Sequence, residues 1–385
     1  MKFETKAIRI QTHRTPQREH STPIFPTSSF VFENAEQMRS LFAGEATGNI
    51  YSRFTNPTCR ELELKIAALE GVDDAVATAS GMAAVSAVFF TFLKAGDHVI
   101  CSRALFGSTC SLLNNYLPEW GIEHDFVDPY QPETWSSQVK PNTKMLFVET
   151  PSNPGLDIID LTKAGKFSQA HDLIFCVDNC FATPYLQQPA KFGAHLITHS
   201  ATKFIDGQGR VVGGVIAGQQ DLMDRVRKFC RSTGPALSPF NAWVLSKSLE
   251  TLAVRLDRHC ENAITLAQRL KDHPQVAKVN YPFLEDHPGY EVAKQQMKKG
   301  GGLITFEIKG GLAQGRRFLD NMKMLSLSAN LGDTRTIATH PASTTHSKLT
   351  EAARREVGIT EGLIRVSLGL EHIDDIIADI DQALA

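Results

Sequence analysis

Three short segments of the chain place reactive side chains directly after runs of apolar residues. Ser80 and Gly81 follow one such run, Asp178 follows a second, and Lys203 comes shortly after a third. Each run has the length and composition of a buried strand. Ligands of open α/β sheets bind just outside the carboxyl ends of the strands. The three segments are therefore candidates for parts of one site.

The first segment suits a phosphate group. Ser80 and Gly81 fall in the turn between a strand that ends at Thr78 and a helix that begins near Ala83. The start of a helix offers free backbone N–H groups and the positive end of the helix dipole. Gly81 also lets the backbone approach a ligand closely. On its own the segment equally fits an ordinary strand–helix turn with a serine cap, which is common in α/β proteins.

Asp178 and Lys203 suit the other end of a cofactor. A carboxylate at the end of a buried strand is costly unless it meets a cation, and the protonated pyridine nitrogen of pyridoxal 5'-phosphate is such a cation. A lysine amine can form a Schiff base with an aldehyde, and Ser200 and Thr202 supply hydroxyls for a phosphate. Alone, Asp178 could cap a turn and Lys203 could be a surface charge. Together, the three segments predict a pyridoxal 5'-phosphate site.

The elements that must position these residues alternate between strands and helices, which indicates an α/β fold with a mostly parallel sheet. The predicted strands of this sheet are apolar throughout, as expected where helices cover both faces. They are Ala75–Thr78, His98–Ser102, Met145–Glu149, Ile174–Val177, Leu196–His199 and Gly214–Ala217. Predicted helices include Glu61–Leu69, Asp221–Ser232 and Asp374–Leu384.

We expect three parts along the chain. Residues 1–60 are rich in proline and polar residues but carry several aromatic side chains, so they form an N-terminal arm that contacts a neighbouring subunit. Residues 61–255 form the large cofactor-binding domain. Residues 256–385 form a small α+β domain with strands at Gly302–Ile308 and Leu363–Leu368, and the boundary lies within the apolar periodicity of Asn241–Asp272.

Composition excludes other classes of protein. The formal net charge of −2 gives no reason to expect nucleic acid or an anionic membrane as a partner. No apolar run is long enough to span a bilayer and the N-terminus lacks a signal sequence, so we expect a cytoplasmic protein whose seven cysteines are reduced thiols.

Gly207–Gly214 does not match the dinucleotide-binding fingerprint. His340 and His346 lack a third metal ligand at a suitable spacing, so we expect loop structure there and no metal site.

Two motifs carry a family resemblance. Asp178-Asn-Cys-Phe-Ala-Thr-Pro184 and His199-Ser-Ala-Thr-Lys-Phe-Ile-Asp-Gly207 resemble the Cys/Met-metabolism family of pyridoxal-phosphate enzymes, and the resemblance extends over nearly the whole chain. The family includes cystathionine γ-synthase, cystathionine lyases, methionine γ-lyase and homoserine-ester sulfhydrylases. The resemblance implies the fold of the type I pyridoxal-phosphate transferases, and an obligate dimer paired into a homotetramer.

The resemblance also implies roles for individual residues. Lys203 resembles the Schiff-base lysine and proton carrier, and Asp178 the partner of the pyridine nitrogen. Asn153 resembles the residue near the phenolic oxygen of the cofactor, and Arg365, with Asn330, the site of the substrate α-carboxylate. The phosphate cradle comprises Ser80, Gly81, Met82, Ser200 and Thr202, and the pair that reaches a neighbouring subunit's phosphate comprises Tyr51 and Arg53.

Two features bear on the reaction. Many family members have tyrosine where this chain has Phe106. The phenyl ring of Phe106 can still stack on the cofactor, but it has no phenol, so we expect Lys203 to carry more of the proton transfer. The segment 329–346 is similar to the sulfhydrylases more than to the lyases, and with the lysine motif it most resembles those that act on O-succinylhomoserine. We therefore expect γ-replacement of succinate by sulfide. O-acetylhomoserine sulfhydrylase, cystathionine γ-synthase and methionine γ-lyase activities stay open as alternatives on the same scaffold.

Overall fold

A computed structural model describes residues 1–345, 347, 350–351, 354 and 358–385. Its larger sheet has seven strands, which are β1 (Asp74–Thr78), β2 (His98–Ser102), β3 (Glu123–Val127), β4 (Thr143–Glu149), β5 (Ile174–Asp178), β6 (Leu196–Ser200) and β7 (Gly214–Gly218). Their order across the sheet is β1-β7-β6-β5-β4-β2-β3. Strands β2 to β6 run parallel, whereas β7 is antiparallel to both β1 and β6. The expected α/β fold with a mostly parallel sheet is confirmed.

The sequence did not predict β3, which lies at the edge of this sheet. Its residues Glu-His-Asp-Phe-Val are mostly polar, and four of the five are only partly buried or exposed. An edge strand pairs on one side only and needs no continuous apolar run. The other strands are buried almost throughout, so their continuous apolar runs were sufficient to predict them.

Helices cover both faces of this sheet. Residues of β1 alternate between the two sides, because Val76 packs in one apolar cluster with Phe89, whereas Ala75 and Ala77 pack in another with Leu62. Among the described residues, the helices of eight or more residues are Ala35–Ala43, Pro57–Glu70, Gly81–Phe92, Leu161–Ala170, Gln220–Thr233, Pro239–Leu249, Leu252–Lys271, Gly311–Asn321 and Ile373–Leu384.

Local signals fix the ends of the helix that packs behind the site, Pro57–Glu70. The side chain of Asn56 accepts the N–H of Thr58, and proline occupies the first helical position, where no N–H is needed. Gly71 ends the helix with φ of 78°, a left-handed conformation that favours glycine. These signals place Glu70 at the last turn, against the larger sheet.

A second sheet lies in the C-terminal part of the chain. Its strands are β8 (Val276–Asn280), β9 (Leu303–Ile308), β10 (Ser326–Leu327), β11 (Ile337–Thr339) and β12 (Leu363–Ser367), in the order β10-β11-β12-β9-β8. The predicted strands correspond to β9 and β12. The predicted apolar stretch Asn241–Asp272 is two helices that separate at Glu250 and Thr251. The proposed domain boundary near residue 255 falls in the second of them and stays a prediction.

The first 60 residues contain the helices Phe3–Arg9 and Ala35–Ala43. Two contacts anchor this arm to its own subunit, since the hydroxyl of Thr22 bonds to Glu61 and Trp243 Nε1 donates to the Thr22 carbonyl at 3.0 Å. Val31 is 99% exposed, and Phe42 is also exposed. The contact of this arm with a neighbouring subunit stays a prediction.

In the part of the chain that the structure describes, no helix combines the length and apolar character needed to cross a membrane. All seven cysteines are free thiols, as the scattered spacing predicts.

We expect Arg227→Ala to destabilise the protein by about 3 kcal/mol, because it leaves two buried carboxylates short of a cation. Arg227 bonds to Asp74 at 2.7 Å and to Glu63 at 3.3 Å, and only Arg60 would remain beside them. Thermal and chemical unfolding would measure the loss. The control is Arg225→Ala on the same helix, where an exposed contact should change stability by less than about 1 kcal/mol; equal effects would contradict the argument.

Candidate active site

The pairing of the strands brings the predicted segments to one edge of the larger sheet. Asp178 pairs with Glu149 on one side and with Thr198 on the other. Ser200 and Thr78 both pair with Gly214. The ends of β1, β6, β5 and β4 therefore stand in one row, and the loops that follow them carry the candidate residues.

Asp178 is a partly buried carboxylate without a basic side chain as ion-pair partner among the described residues. Its Oδ1 accepts the backbone N–H of Cys180 at 3.0 Å. Burial raises the pKa of Asp178 to about 6, although the charge of His199 opposes the shift. A cation placed against this carboxylate would remove that cost.

Glu149 is a site residue that sequence reasoning missed, although it is the last residue of a predicted strand and Asp178 directly follows another. It is buried and its Oε2 accepts the N–H of Phe106 at 2.7 Å. Burial, and then the charge of Asp178, raise the pKa of Glu149 well above its usual value. A second negative charge beside Asp178 is therefore disfavoured, and the two carboxyl groups titrate as a coupled pair.

Close backbone approach shapes the phosphate cradle. Ser80 caps the helix Gly81–Phe92 by accepting the N–H of Ala83 at 3.1 Å. A Cβ on Gly81 would lie 2.6 Å from the Cβ of Ser200, so only glycine fits between these segments. Thr202 Oγ1 accepts the N–H of Gly213 at 3.1 Å. Ser80 and Gly81 at the helix start thus lie against the segment that carries Ser200 and Thr202.

Met82 contributes packing at the same helix start. Its sulfur accepts a weak hydrogen bond from Thr109 at 3.8 Å, and the side chain packs against the apolar cluster beneath the cradle. Its predicted role in binding the phosphate stays a prediction.

Lys203 lies between the cradle and Arg365. Its Nζ donates to Asn330 Oδ1 at 2.7 Å. The pKa of Lys203 is lowered, because burial disfavours the ammonium form and the positive charge of Arg365 adds to that effect. A lysine with a lowered pKa is the form that reacts with aldehydes and accepts protons.

Arg365 is a buried cation, 6% exposed, with only neutral partners among the described residues. Nη1 donates to Asn153 Oδ1 at 2.9 Å and Nη2 donates to the Asn330 carbonyl at 3.1 Å, while Nε has no partner. Burial lowers the pKa of Arg365 to about 10. The arrangement suits a bound carboxylate. Asn153 therefore contacts the arginine predicted to bind substrate, a link that sequence spacing did not reveal.

Phe106 and the arm residues differ in placement. Phe106 is 42% exposed and held at this edge by its bond to Glu149. Tyr51 and Arg53 instead contact each other, Phe54 and the carbonyl of Arg231. None of their recorded contacts, among the described residues, is with Lys203 or the cradle, as expected if they serve another subunit.

These residues fit pyridoxal 5'-phosphate. The cradle crowds out any side chain at Gly81, and the start of a helix offers backbone N–H groups that suit a phosphate. Asp178 lacks a basic ion-pair partner among the described residues, and the lowered pKa of Lys203 favours its reactive neutral amine. When bound, the ring nitrogen would meet Asp178, the phosphate would meet the cradle, and the aldehyde would meet Lys203.

The structure shows no cluster of metal ligands among the residues it describes. His340 uses both ring nitrogens, with Ser343 at 2.7 Å and the Glu361 carbonyl at 2.6 Å. His346 lies outside the described residues.

We expect Gly81→Ala to weaken the binding of pyridoxal 5'-phosphate about tenfold or more, because the crowding at Ser200 should cost on the order of 1–3 kcal/mol. Spectroscopic titration of the cofactor-free protein would measure it. Gly289→Ala is the control, since its Cβ would lie 2.7 Å from that of Ile158, away from the strand ends. Equal losses of affinity in both variants would contradict a specific cradle.

We expect Asp178→Asn to stabilise the cofactor-free protein at about pH 7.5, by on the order of 2 kcal/mol. The folded-state pKa of about 6 lies above the ordinary 3.8, so ionised Asp178 destabilises the fold above pH 6 and ceases to do so as the pH falls toward 4. Thermal unfolding at several pH values would test this, and the gain should disappear in acid. The same variant should bind pyridoxal 5'-phosphate more weakly; lower stability near pH 7.5 without cofactor would contradict the argument.

Comparisons with known proteins indicate one family of enzymes. The family model described as "Cys/Met metabolism PLP-dependent enzyme" matches residues 4–385. An O-succinylhomoserine sulfhydrylase of Pseudomonas aeruginosa is 47% identical over 100% of this chain and 95% of its own. An L-methionine gamma-lyase of Fusobacterium nucleatum is 45% identical over 99% of this chain and 97% of its own.

Among solved structures, an O-acetylhomoserine (thiol)-lyase of Campylobacter jejuni superimposes with a TM-score of 0.96 at 35% identity, and 100% of each chain is covered. That crystal structure contains N'-pyridoxyl-lysine-5'-monophosphate. The fold is that of the type I pyridoxal-phosphate enzymes, and the cofactor is pyridoxal 5'-phosphate. This chain belongs to the Cys/Met metabolism family of PLP-dependent enzymes.

Proposed function

We propose that this enzyme catalyses γ-replacement on O-succinyl-L-homoserine with sulfide, giving L-homocysteine and succinate. One observation carries the proposal. The segment 329–346, whose sequence is similar to that of sulfhydrylases, supplies Asn330, which contacts both Lys203 and Arg365. The 47% identity with a sulfhydrylase supports the same activity.

In the proposed mechanism, Arg365 binds the α-carboxylate of the substrate through its guanidinium fork and fixes the α-carbon beside Lys203. Bound pyridoxal 5'-phosphate supplies an electron sink for negative charge at that carbon. Asp178 would keep the ring nitrogen of the bound cofactor protonated, while burial and the charge of Asp178 disfavour a second negative charge at Glu149. The cradle around Gly81 holds the phosphate and so fixes the ring.

Lys203 moves the protons, first from the α-carbon and then from the β-carbon, before succinate leaves from the γ-carbon. Its lowered pKa increases the fraction of neutral amine that can accept a proton. Asn330 Oδ1 is a neutral acceptor, so it orients Nζ without the charge that would hold the ammonium form. Phe106 has no phenol, and Lys203 therefore serves these steps without help from that position.

Methionine γ-lyase activity is the second candidate, because the Fusobacterium relative with that name is 45% identical over nearly the whole chain. It requires that no nucleophile add at the γ-carbon after loss of the γ-substituent, so that the four-carbon product leaves as an enamine that water hydrolyses to 2-oxobutanoate and ammonia. O-acetylhomoserine sulfhydrylase and cystathionine γ-synthase activities would differ from our proposal in the leaving group or the nucleophile alone.

We further propose that the active unit is a dimer and that two dimers form a homotetramer, with no nucleic-acid or membrane partner. Tyr51 and Arg53 contact none of the cradle residues of their own chain and would reach the phosphate of the neighbouring subunit's cofactor. The exposed apolar side chains of Val31 and Phe42 support burial of the arm in such an assembly. The seven free thiols support a reducing, cytoplasmic location.

The test is steady-state kcat/KM of the cofactor-loaded enzyme for O-succinyl- and O-acetyl-L-homoserine, each with sulfide and with cysteine. We expect the highest value for the succinyl ester with sulfide, with homocysteine as product. Lys203→Ala should lower kcat about 10²–10⁴-fold, the range for removal of a general acid–base group.

Each other result assigns a different activity. Preference for cysteine would indicate a cystathionine γ-synthase, and preference for the acetyl ester would change the leaving group. Release of 2-oxobutanoate from methionine, without turnover of either ester, would indicate the lyase and overturn the proposal.

A further inference from the structure

Behind the ends of β5 and β6, three buried polar side chains meet. Oε1 of Glu70 accepts hydrogen bonds from His199 Nε2 at 2.6 Å and from Asn179 Nδ2 at 2.9 Å. Each of the three residues is at most 1% exposed. Glu70 is the last residue of the helix Pro57–Glu70, so this helix meets both strands through one carboxylate oxygen.

The arrangement is costly for a group that serves packing alone. A carboxylate at the C-terminal end of a helix opposes the helix dipole. Glu70 Oε2 and His199 Nδ1 are buried without hydrogen-bond partners, and each such group costs about 1–3 kcal/mol. Apolar side chains would join the helix to the sheet without these costs, so packing does not account for the three groups.

The two residues that donate to Glu70 adjoin the candidate catalytic residues. Asn179 directly follows Asp178, and its backbone N–H donates to the Thr198 carbonyl at 3.0 Å. His199 lies in β6, four residues before Lys203. Alternate residues of a strand face opposite sides, so His199 lies behind the sheet while Thr198, beside Asp178, faces the cofactor side.

A wider network fixes Asn179. Its Nδ2 also donates to the carbonyl of Gln187 at 3.0 Å, and Gln187 Nε2 donates to Asn179 Oδ1 at 3.0 Å and to the Thr150 carbonyl at 2.9 Å. Thr150 follows β4, so this network links the ends of three neighbouring strands.

We propose that Glu70 is a positioning residue that holds the ends of β5 and β6 together from behind and so sets the placement of Asp178 and Lys203 against the cofactor. Glu70 acts on Asp178 through Asn179 and on Lys203 through His199. This inference rests on the proposed roles of Asp178 and Lys203 and is independent of which homoserine ester or nucleophile the enzyme uses.

Two substitutions separate hydrogen bonding from charge. Both bonds go to Oε1, so Glu70→Gln keeps that oxygen and replaces only the unpartnered Oε2 with nitrogen. Glu70→Ala removes both bonds. Asp379→Ala is the matched control, because Asp379 is also a buried carboxylate but bonds backbone N–H groups at Lys323, Met324 and Leu325.

The experiment measures the Kd for pyridoxal 5'-phosphate by titration of cofactor-free protein, the visible spectrum of the bound cofactor, and kcat and KM at saturating cofactor. We expect Glu70→Ala to raise Kd and lower kcat about tenfold or more each, with KM within about twofold, because misplaced catalytic groups affect the chemical step most. Glu70→Gln should keep Kd within about threefold of the wild-type value and leave the visible spectrum of the bound cofactor unchanged. Asp379→Ala should lower Tm and leave Kd unchanged.

Three results would overturn the inference. Normal Kd and kcat in Glu70→Ala, measured below its Tm, would leave Glu70 a structural role only. Equal impairment of Glu70→Gln and Glu70→Ala would assign the effect to charge. If Glu70→Ala does not fold, Asn179→Ala and His199→Phe each remove one bond, and unchanged Kd in both would have the same meaning. Because Kd and the spectrum need no substrate, failure of the proposed substrate would not be mistaken for failure of this inference.

Discussion

The carboxylate of Asp178, partly buried at the end of β5 without a basic partner among the described residues, is the constraint on which the site depends. An uncompensated carboxylate destabilises the fold around it, as its raised pKa records. Glu149, its neighbour across the strand pair, is buried too, and burial and the charge of Asp178 raise its pKa, so a second negative charge beside Asp178 is disfavoured. The protein therefore holds one negative charge at this edge, at the cost of stability, until a cation arrives. We propose that the pyridinium of the bound cofactor supplies that cation.

The site also contains two basic side chains without an anionic partner among the described residues. Lys203 and Arg365 are both withdrawn from water, and both have a lowered pKa because burial disfavours their charged forms. Their recorded partners, Asn330 and Asn153, are neutral amides. A substrate that brings a carboxylate to Arg365 supplies the missing anion. The cofactor would bring the positive charge that Asp178 lacks, and the substrate the negative charge that Arg365 lacks. The binding energy of these two pairings can then orient the reacting carbon.

The parts of this site that the sequence predicts are those with local signals. Ser80, Gly81, Asp178 and Lys203 each follow an apolar run, and the rule that strand ends share an edge is enough to bring them together. The parts it misses depend on distant contacts. Nothing near Asn330 in sequence indicates that its amide meets Lys203, 127 residues away. The edge strand β3 was missed because partial exposure removes the apolar run on which its prediction would rely.

The alternation of side chains along a strand explains how ligand-facing and supporting groups coexist at neighbouring positions. Thr198 and Ser200 face the cofactor side with Asp178, whereas His199, between them, points to Glu70 behind the sheet. A one-residue shift in the register of β6 would exchange the two sets and place a hydroxyl against Glu70 and an imidazole in the cradle. The hydrogen bonds that Glu70 accepts from Asn179 and His199 oppose that shift directly. The cost of burying this carboxylate and imidazole is then understandable, because the positions of Asp178 and Lys203 depend on the same register.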